Sequence, residues 1–329
     1  MVRTEEFRRL ATAVLKILAF AAVYYASAQV GLLEQVVIGG AVVTPLWPPT
    51  GIALSCLFYL GLWTWPGIAV GTLLVVASLG PVDAGVLGII VGNTLAPVCS
   101  YLMLRRVGFR VEMDRLRDGV ALVALGAFAG MLVSATMGGL TLLVTGALPE
   151  GGFWPTWVSW WVGDAMGVLV VAPLLLAFRT FRWPRDVRVY RWFEAAALAG
   201  GCVVVSLLVT RTALSVLFLA FPLIMWAALR FQLVGSAPCV LVLSVLAIRA
   251  ATEQSGPFTG QTLLHAMVNL QALNGSAALT ALLLSAIVTE QNSIRRKIEE
   301  VCLDLAEVVD RLAPGESRHQ WPPEDGEKR

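Results

Sequence analysis

The sequence predicts an all-α integral membrane protein, a polytopic bundle of about ten transmembrane helices. Of its 329 residues, 57% are hydrophobic and only 14% are charged, whereas an ordinary soluble domain has roughly 25% charged residues. A soluble protein of this length needs more polar residues to cover its surface. No stretch of about ten residues alternates between polar and apolar positions, as the strands of a membrane β-barrel do.

Ten apolar runs match, or nearly match, the length that a helix needs to cross a hydrocarbon core about 30 Å thick. The second and third runs are short. If short runs are fused or are not counted as membrane spans, the number of spans falls to eight. Several runs begin at a Trp-Pro pair. These pairs predict helix starts, because proline in the first helical turn costs no hydrogen bond. The runs are residues 10–31, 48–62, 66–80, 84–105, 118–146, 156–178, 193–210, 213–229, 232–250 and 263–289.

The basic residues predict that both termini are cytoplasmic. They cluster before the first run and after the fourth, sixth and tenth runs, and with ten crossings all four clusters fall on one side. Of the 24 lysines and arginines, only Arg211 and Arg249 fall on the opposite side. Because cytoplasmic loops carry the excess of positive charge, we expect a multi-pass plasma-membrane protein with the lipid bilayer around it.

Asp164 is the only acid that the sequence places deep in the bilayer. It lies roughly eight residues into the sixth run, about 12 Å below the outer surface at 1.5 Å per residue. Asn93 has a similar depth in the fourth run, Ser134 lies in the outer half of the fifth, and Asn269 and Asn274 lie in the outer half of the tenth. Polar groups in a membrane are costly. Their shared depth predicts either an outward-facing polar cavity or hydrogen bonds between helices.

The last run continues beyond the inner surface as an amphipathic helix. From Ile294 to Leu312 its apolar residues recur at spacings of 4, 3, 4, 3 and 4, which is a heptad pattern. The pattern predicts either a short coiled coil or a helix that lies on the membrane or folds back on the bundle. We expect a membrane domain over residues 1–290, a cytoplasmic helix over 291–312 and a disordered polar tail over 313–329.

The composition argues against cofactor, metal and nucleic-acid binding. The net charge is only +2, the five cysteines form no CxxC pair, and there are two histidines. Enzymatic activity is also not expected, because no histidine or cysteine shares the depth of Asp164 to build an acid–base or nucleophilic site.

Three motifs follow one another along the chain. They are LWPPTGIA at residues 46–53, followed by WPG at 65–67; GNTL at 92–95; and WWVGDAMGVL at 160–169, closed by Ala172-Pro173. Together they resemble the bacterial membrane-associated sensor domains of the first type, the MASE1 family, over roughly residues 10–295. The resemblance implies a multi-span sensor in the bacterial cytoplasmic membrane, which family members usually join to a cytoplasmic kinase, cyclase or related output domain. Only seventeen residues follow Leu312 here, so we expect a stand-alone or truncated sensor.

These observations predict a signal-sensing membrane module of bacterial signal transduction, such as a two-component system. It would detect a ligand or a membrane cue and relay it through the last helix to a cytoplasmic kinase, cyclase or phosphatase, to a membrane protein, or to a second copy of itself. The alternative is a small-molecule transporter, because ten spans can form two inverted repeats. The candidate ligand-binding or switch residues are Asp164, Asn93, Trp47, Pro48, Thr50, Gly51, Trp160, Trp161, Gly163, Asn269 and Asn274, and the candidate relay residues are Ile294, Ile298, Val301, Leu305 and Val308.

Overall fold

The computed structural model describes residues 2–38, 41–82, 85–180, 189–212 and 216–312, and these are almost entirely helical. Within them, eight helical segments are long and apolar enough to cross a membrane. The predicted polytopic helical bundle is therefore confirmed, with a span count inside the predicted range of eight to ten. The predicted polar tail over 313–329 lies outside the described residues.

The described part of the chain forms nine helices and one β-hairpin that the sequence did not predict. In the hairpin, β1 (Val36–Ile38) pairs antiparallel with β2 (Ala41–Val43). Short 3-10 turns occupy Leu62–Thr64, Leu217–Leu219 and Gly256–Phe258. The helices are α1 (Val2–Leu32), α2 (Pro48–Leu60), α3 (Pro66–Leu79), α4 (Gly85–Arg106), α5 (Leu116–Val144), α6 (Phe153–Arg179), α7 (Val189–Arg211), α8 (Ala220–Thr252) and α9 (Leu263–Leu312).

Two of the Trp-Pro pairs mark helix starts as predicted, whereas Trp154-Pro155 lies in the first turn of α6, which begins at Phe153, and Trp183-Pro184 lies outside the described residues. α2 begins at Pro48 and α3 begins at Pro66, each directly after a tryptophan. α2 has only 13 residues, or about 20 Å, and is too short to cross a hydrocarbon core of about 30 Å by itself. It packs instead against α6, which is the most buried of the eight membrane-length segments.

α8 reverses direction at Gln232, where φ is 49° and ψ is −142°. In a straight helix, residues 227 and 235 would be about 12 Å apart along the axis. Here a Cβ atom added to Gly235 would lie 3.3 Å from the carbonyl oxygen of Ala227. The two halves of α8 are therefore antiparallel, and they correspond to the eighth and ninth predicted runs.

One contact identifies each end of the bundle. At the end that we call the β-hairpin end, Thr156 at the start of α6 donates a hydrogen bond to the carbonyl of Ile38 (3.1 Å). At the opposite end, which we call the basic end, Arg230 beside the α8 reversal pairs with Glu194 at the start of α7 (2.6 Å). That the basic end faces the cytoplasm stays a prediction from the distribution of positive charge.

The reversal at Gln232 makes a prediction about membrane sidedness. Gly256, just after α8, lies against Thr210 at the end of α7, since its added Cβ would be 2.1 Å from the Thr210 carbonyl oxygen. In a background without the five native cysteines, we expect Arg211→Cys and Glu253→Cys to react with an impermeant maleimide from the same side of sealed vesicles. Gln232→Cys should react only from the other side. Labelling of all three from one side would contradict the reversal.

Candidate functional site

Asp164 on α6 is where three helices meet. Its side chain is 1% exposed, and its Oδ2 atom accepts a hydrogen bond from the hydroxyl of Ser134 on α5. The hydroxyl of Thr50 on α2 donates to the backbone carbonyl of Asp164 (3.0 Å). A carboxyl group buried without hydrogen bonds would cost several kcal/mol. The contacts from α5 and α2 therefore hold α6 in one position relative to both neighbours.

Glycines allow the first motif to reach this part of α6. The backbone N–H of Trp47 donates to the carbonyl of Gly163 (3.0 Å). A Cβ atom on Gly167 would lie 1.9 Å from the carbonyl oxygen of Trp47, and one on Gly51 would lie 2.2 Å from the carbonyl oxygen of Gly167. Only glycine permits such an approach. The Trp47–Gly51 corner is thus in backbone contact with the segment that carries Asp164.

The second motif joins the same site through α4. A Cβ atom on Gly92 would lie 2.7 Å from the Cβ atom of Met137, so α4 and α5 cross closely one turn from Ser134. The next residue, Asn93, is 6% exposed. Its Oδ1 atom has no hydrogen-bond partner among the described residues. Three motifs that are far apart in sequence therefore meet around Asp164.

A cavity of about 270 Å³ lies beside Asp164, between the β-hairpin and the helices α1, α3, α4, α5 and α6. Most of its lining is apolar, and its polar lining includes the side chains of Asp164, Asn93, Thr72 and Tyr24. Thr72 donates to the Tyr24 hydroxyl (3.2 Å). An apolar pocket with a few convergent polar groups is the usual composition of a small-molecule site.

The predicted site residues occupy three different places. Trp47, Trp160 and Gly163 line the cavity with Asp164 and Asn93, while Pro48, Thr50 and Gly51 support it from α2. The other predicted residues do not line it. Trp161 donates to the Phe128 carbonyl (2.8 Å), Asn269 donates to Gln261 (3.0 Å), and Asn274 is fully buried with both amide atoms unpartnered among the described residues.

Tyr24 and Thr72 are cavity residues that the sequence analysis missed. Both lie within apolar runs, Tyr24 in α1 and Thr72 in α3. A Cβ atom on Gly71 would lie 2.7 Å from the ring of Tyr24, so this glycine lets α1 and α3 approach. The signal available in the sequence was a hydroxyl in the first and in the third apolar run, each at the depth of Asp164.

The two helices that supply Ser134 and Asp164 both depart from α-helical geometry nearby. Residues Leu122–Ala129 of α5 and Gly167–Val171 of α6 are π-helical, and the two segments pack against each other. Ser100 donates to the carbonyl of Gly126 (2.9 Å), inside the first segment. Short π-helical segments are rare and occur frequently at functional sites.

α9 contacts the site at one end and extends beyond the bundle at the other. Near the β-hairpin end, Gln271 donates to the carbonyl of Pro45 (2.8 Å). At the basic end, Glu290 accepts a hydrogen bond from the backbone N–H of Leu116 (2.9 Å). The five predicted relay residues that follow are 49–59% exposed: Ile294, Ile298, Val301, Leu305 and Val308. Among the residues that the structure describes, no group of three or more histidines, cysteines and acids could hold a metal ion.

The close contacts at Gly167 predict a specific loss of stability. We expect Gly167→Ala to destabilise the protein by about 1–3 kcal/mol, because the added methyl group must displace the Trp47 backbone. Thermal unfolding in detergent should show a midpoint lower by several degrees. Gly200→Ala in α7 is the control, because no atom of the described residues lies within 4 Å of its added Cβ. Equal midpoints for the two variants would contradict the packing described here.

Comparison with known proteins gives one match. The sequence profile of the MASE1 family matches residues 17–292, which is most of the chain. No curated protein and no solved structure matches. The matched region contains all three motifs that meet at Asp164 and ends just before the exposed apolar residues of α9. The chain therefore belongs to the MASE1 family of membrane-associated sensor domains, and it is a multi-pass inner-membrane protein.

Proposed function

We propose that this chain senses a small molecule in the cavity beside Asp164 and relays its binding through α9 to a cytoplasmic partner. The observation that carries the proposal is the convergence of three separate motifs on one cavity, where the Oδ1 atom of the buried Asn93 has no partner in the part of the chain that the structure describes. Buried polar groups in a membrane interior are costly and mark functional positions. A bound ligand would supply the missing hydrogen bond. The site acts by binding and needs no catalytic step.

The first route from the cavity to α9 runs through the loop before α2. Thr44 and Trp47 line the cavity, and Pro45 between them accepts the hydrogen bond from Gln271 on α9 (2.8 Å). A ligand that shifts this loop would therefore change a direct contact of α9.

The second route runs along α5. Ser134 binds Asp164, and Leu116 at the start of the same helix binds Glu290 on α9. Ser134 and Leu116 are 18 residues apart, which is about 27 Å along the helix. A displacement of α5 at the cavity would therefore reach the basic end. Glu290 lies four residues before Ile294, so this route ends directly at the exposed segment of α9.

The exposed segment, residues 294–308, is the proposed contact with the output. Its apolar residues at heptad spacing form one stripe on a helix that extends beyond the bundle, whereas Arg295 and Glu299 form an ion pair off that stripe (3.1 Å). Contiguous exposed apolar residues mark interaction surfaces. The heptad spacing favours pairing with another helix, from a kinase, cyclase or phosphatase, from a membrane protein, or from a second copy of the chain.

A test of the relay uses the chain fused after Leu312 to a cyclase domain as reporter. We expect Leu305→Asp to change the output at least about tenfold, because burying a carboxylate in a helix pair costs more than about 1.4 kcal/mol. Leu303→Asp is the matched control, since Leu303 is exposed and lies off the heptad stripe. Equal effects of the two substitutions would rule out the stripe as the contact.

A second prediction concerns the input. We expect Asp164→Asn to shift the output of the same reporter severalfold while the protein still accumulates in the membrane, because the amide alters the bond with Ser134. Asp118→Asn replaces an equally buried acid at the basic end (1% exposed). Because Asp118 does not line the cavity, this variant should leave ligand binding unchanged, although Asp118 lies beside the Leu116–Glu290 contact of the relay. An unchanged output from Asp164→Asn would count against sensing, and solute uptake into sealed vesicles would favour a transporter instead.

A further inference from the structure

The described lining of the cavity contains an acid but no base. The Oδ1 acceptor of Asn93 has no hydrogen-bond partner among the described residues, the donors of the lining, such as the hydroxyls of Tyr24 and Thr72, are neutral, and the described lining residues include no lysine, arginine or histidine. The donors that the structure places on the Asp164 carboxyl are both neutral, the hydroxyl of Ser134 and the indole N–H of Trp160. A buried carboxylate is stabilised best by a positive charge that also donates hydrogen bonds. An anionic ligand would find no counter-charge here and would face the Asp164 carboxylate.

The aromatic residues of the cavity favour the same kind of ligand. Trp47, Trp160 and Tyr24 all contribute to its lining. The face of an aromatic ring attracts cations, tryptophan most strongly, and aromatic groups are a common device for binding organic ammonium ions. The carboxylate and the aromatic rings therefore each favour a positively charged ligand.

The cavity is also layered along the bundle axis. Leu32 and Leu79 come from the last turns of α1 and α3, at the β-hairpin end. Tyr24 and Thr72 lie seven or eight residues earlier in the same helices, about 10–12 Å deeper. The polar groups thus lie at the inner part of the cavity and apolar groups lie nearer its outer part. The volume of about 270 Å³ is just below the usual range for ligand pockets, about 300–1,000 Å³, which limits the ligand to a small molecule.

From these features we infer that the ligand is a small organic ammonium ion with an apolar body. Its ammonium group donates to the Asp164 carboxylate and to Asn93 Oδ1, and its apolar body packs toward the β-hairpin end. This inference rests on the proposed function only in taking this cavity as the ligand site, and binding can be measured without any signalling output.

The test compares three probes of nearly equal shape on the full chain in lipid nanodiscs. The probes are 2-phenylethylammonium, the neutral 2-phenylethanol and the anionic phenylacetate, and their affinities are measured by calorimetric titration. We expect the ammonium ion to bind at least about tenfold more tightly than the alcohol, and phenylacetate to bind most weakly. Equal affinities, tighter binding of phenylacetate, or no binding of any probe at millimolar concentrations would overturn the inference.

Two substitutions connect the preference to the named residues. Asp164→Asn keeps the size of the side chain, and it should weaken binding of the ammonium ion at least about tenfold while affecting the alcohol little. Asp118→Asn should change neither affinity. Asn93→Leu removes the Oδ1 acceptor, so it should weaken binding of the ammonium ion severalfold, and it tests the inference even if Asp164→Asn fails to fold.

These results separate the inference from the proposed function. If the ammonium ion has no advantage in binding but Asp164→Asn still alters the reporter output, the ligand class is wrong and the sensing function stands. If the ammonium ion binds through Asp164 but leaves the reporter output unchanged, the ligand class stands and the relay through α9 is wrong. If Asp164→Asn leaves the ammonium affinity unchanged, the assignment of that carboxylate is overturned.

Discussion

The burial of one carboxyl group, that of Asp164, constrains how the helices around it are arranged. A carboxyl group in this environment must be hydrogen-bonded, and the partner comes from Ser134 on another helix. The backbone around it must also be approached closely, which the glycines at 51, 163 and 167 permit. Together these requirements bring α2, α5 and α6 into one arrangement. The cavity lies beside it, between the β-hairpin and the helices α1, α3, α4, α5 and α6.

The same arrangement explains why a site near one end of the bundle can affect the other end. α5 holds Ser134 at the cavity and Leu116 at the basic end, and α9 holds Gln271 and Glu290 at the corresponding levels. Two continuous helices therefore connect the cavity with the exposed part of α9. The π-helical segments in α5 and α6 lie within a few residues of the Ser134–Asp164 bond, where a change of helical register would move both helices.

Depth in the membrane was the part of the site that could be predicted. Asp164, Asn93 and Ser134 were expected at a similar depth. Asp164 and Ser134 are hydrogen-bonded to each other, and Asn93 lines the same cavity as Asp164. Depth alone did not distinguish Asn93, which lines the cavity, from Asn274, which is buried elsewhere. Tyr24 and Thr72 were missed because a single hydroxyl in an apolar run is also compatible with ordinary helix packing.

The sequence by itself determined the helices, their order and the depth of their polar residues, because the length of each apolar run is local and the backbone fixes the rise per residue whatever the neighbours are. The tertiary structure decided which face of each helix meets which neighbour. It also decided that α2 remains a short buried helix, that α8 reverses at Gln232 and that a β-hairpin borders the cavity. These features depend on contacts between segments far apart in the chain, such as Trp47 with Gly163 and Thr50 with Asp164, which no local pattern specifies.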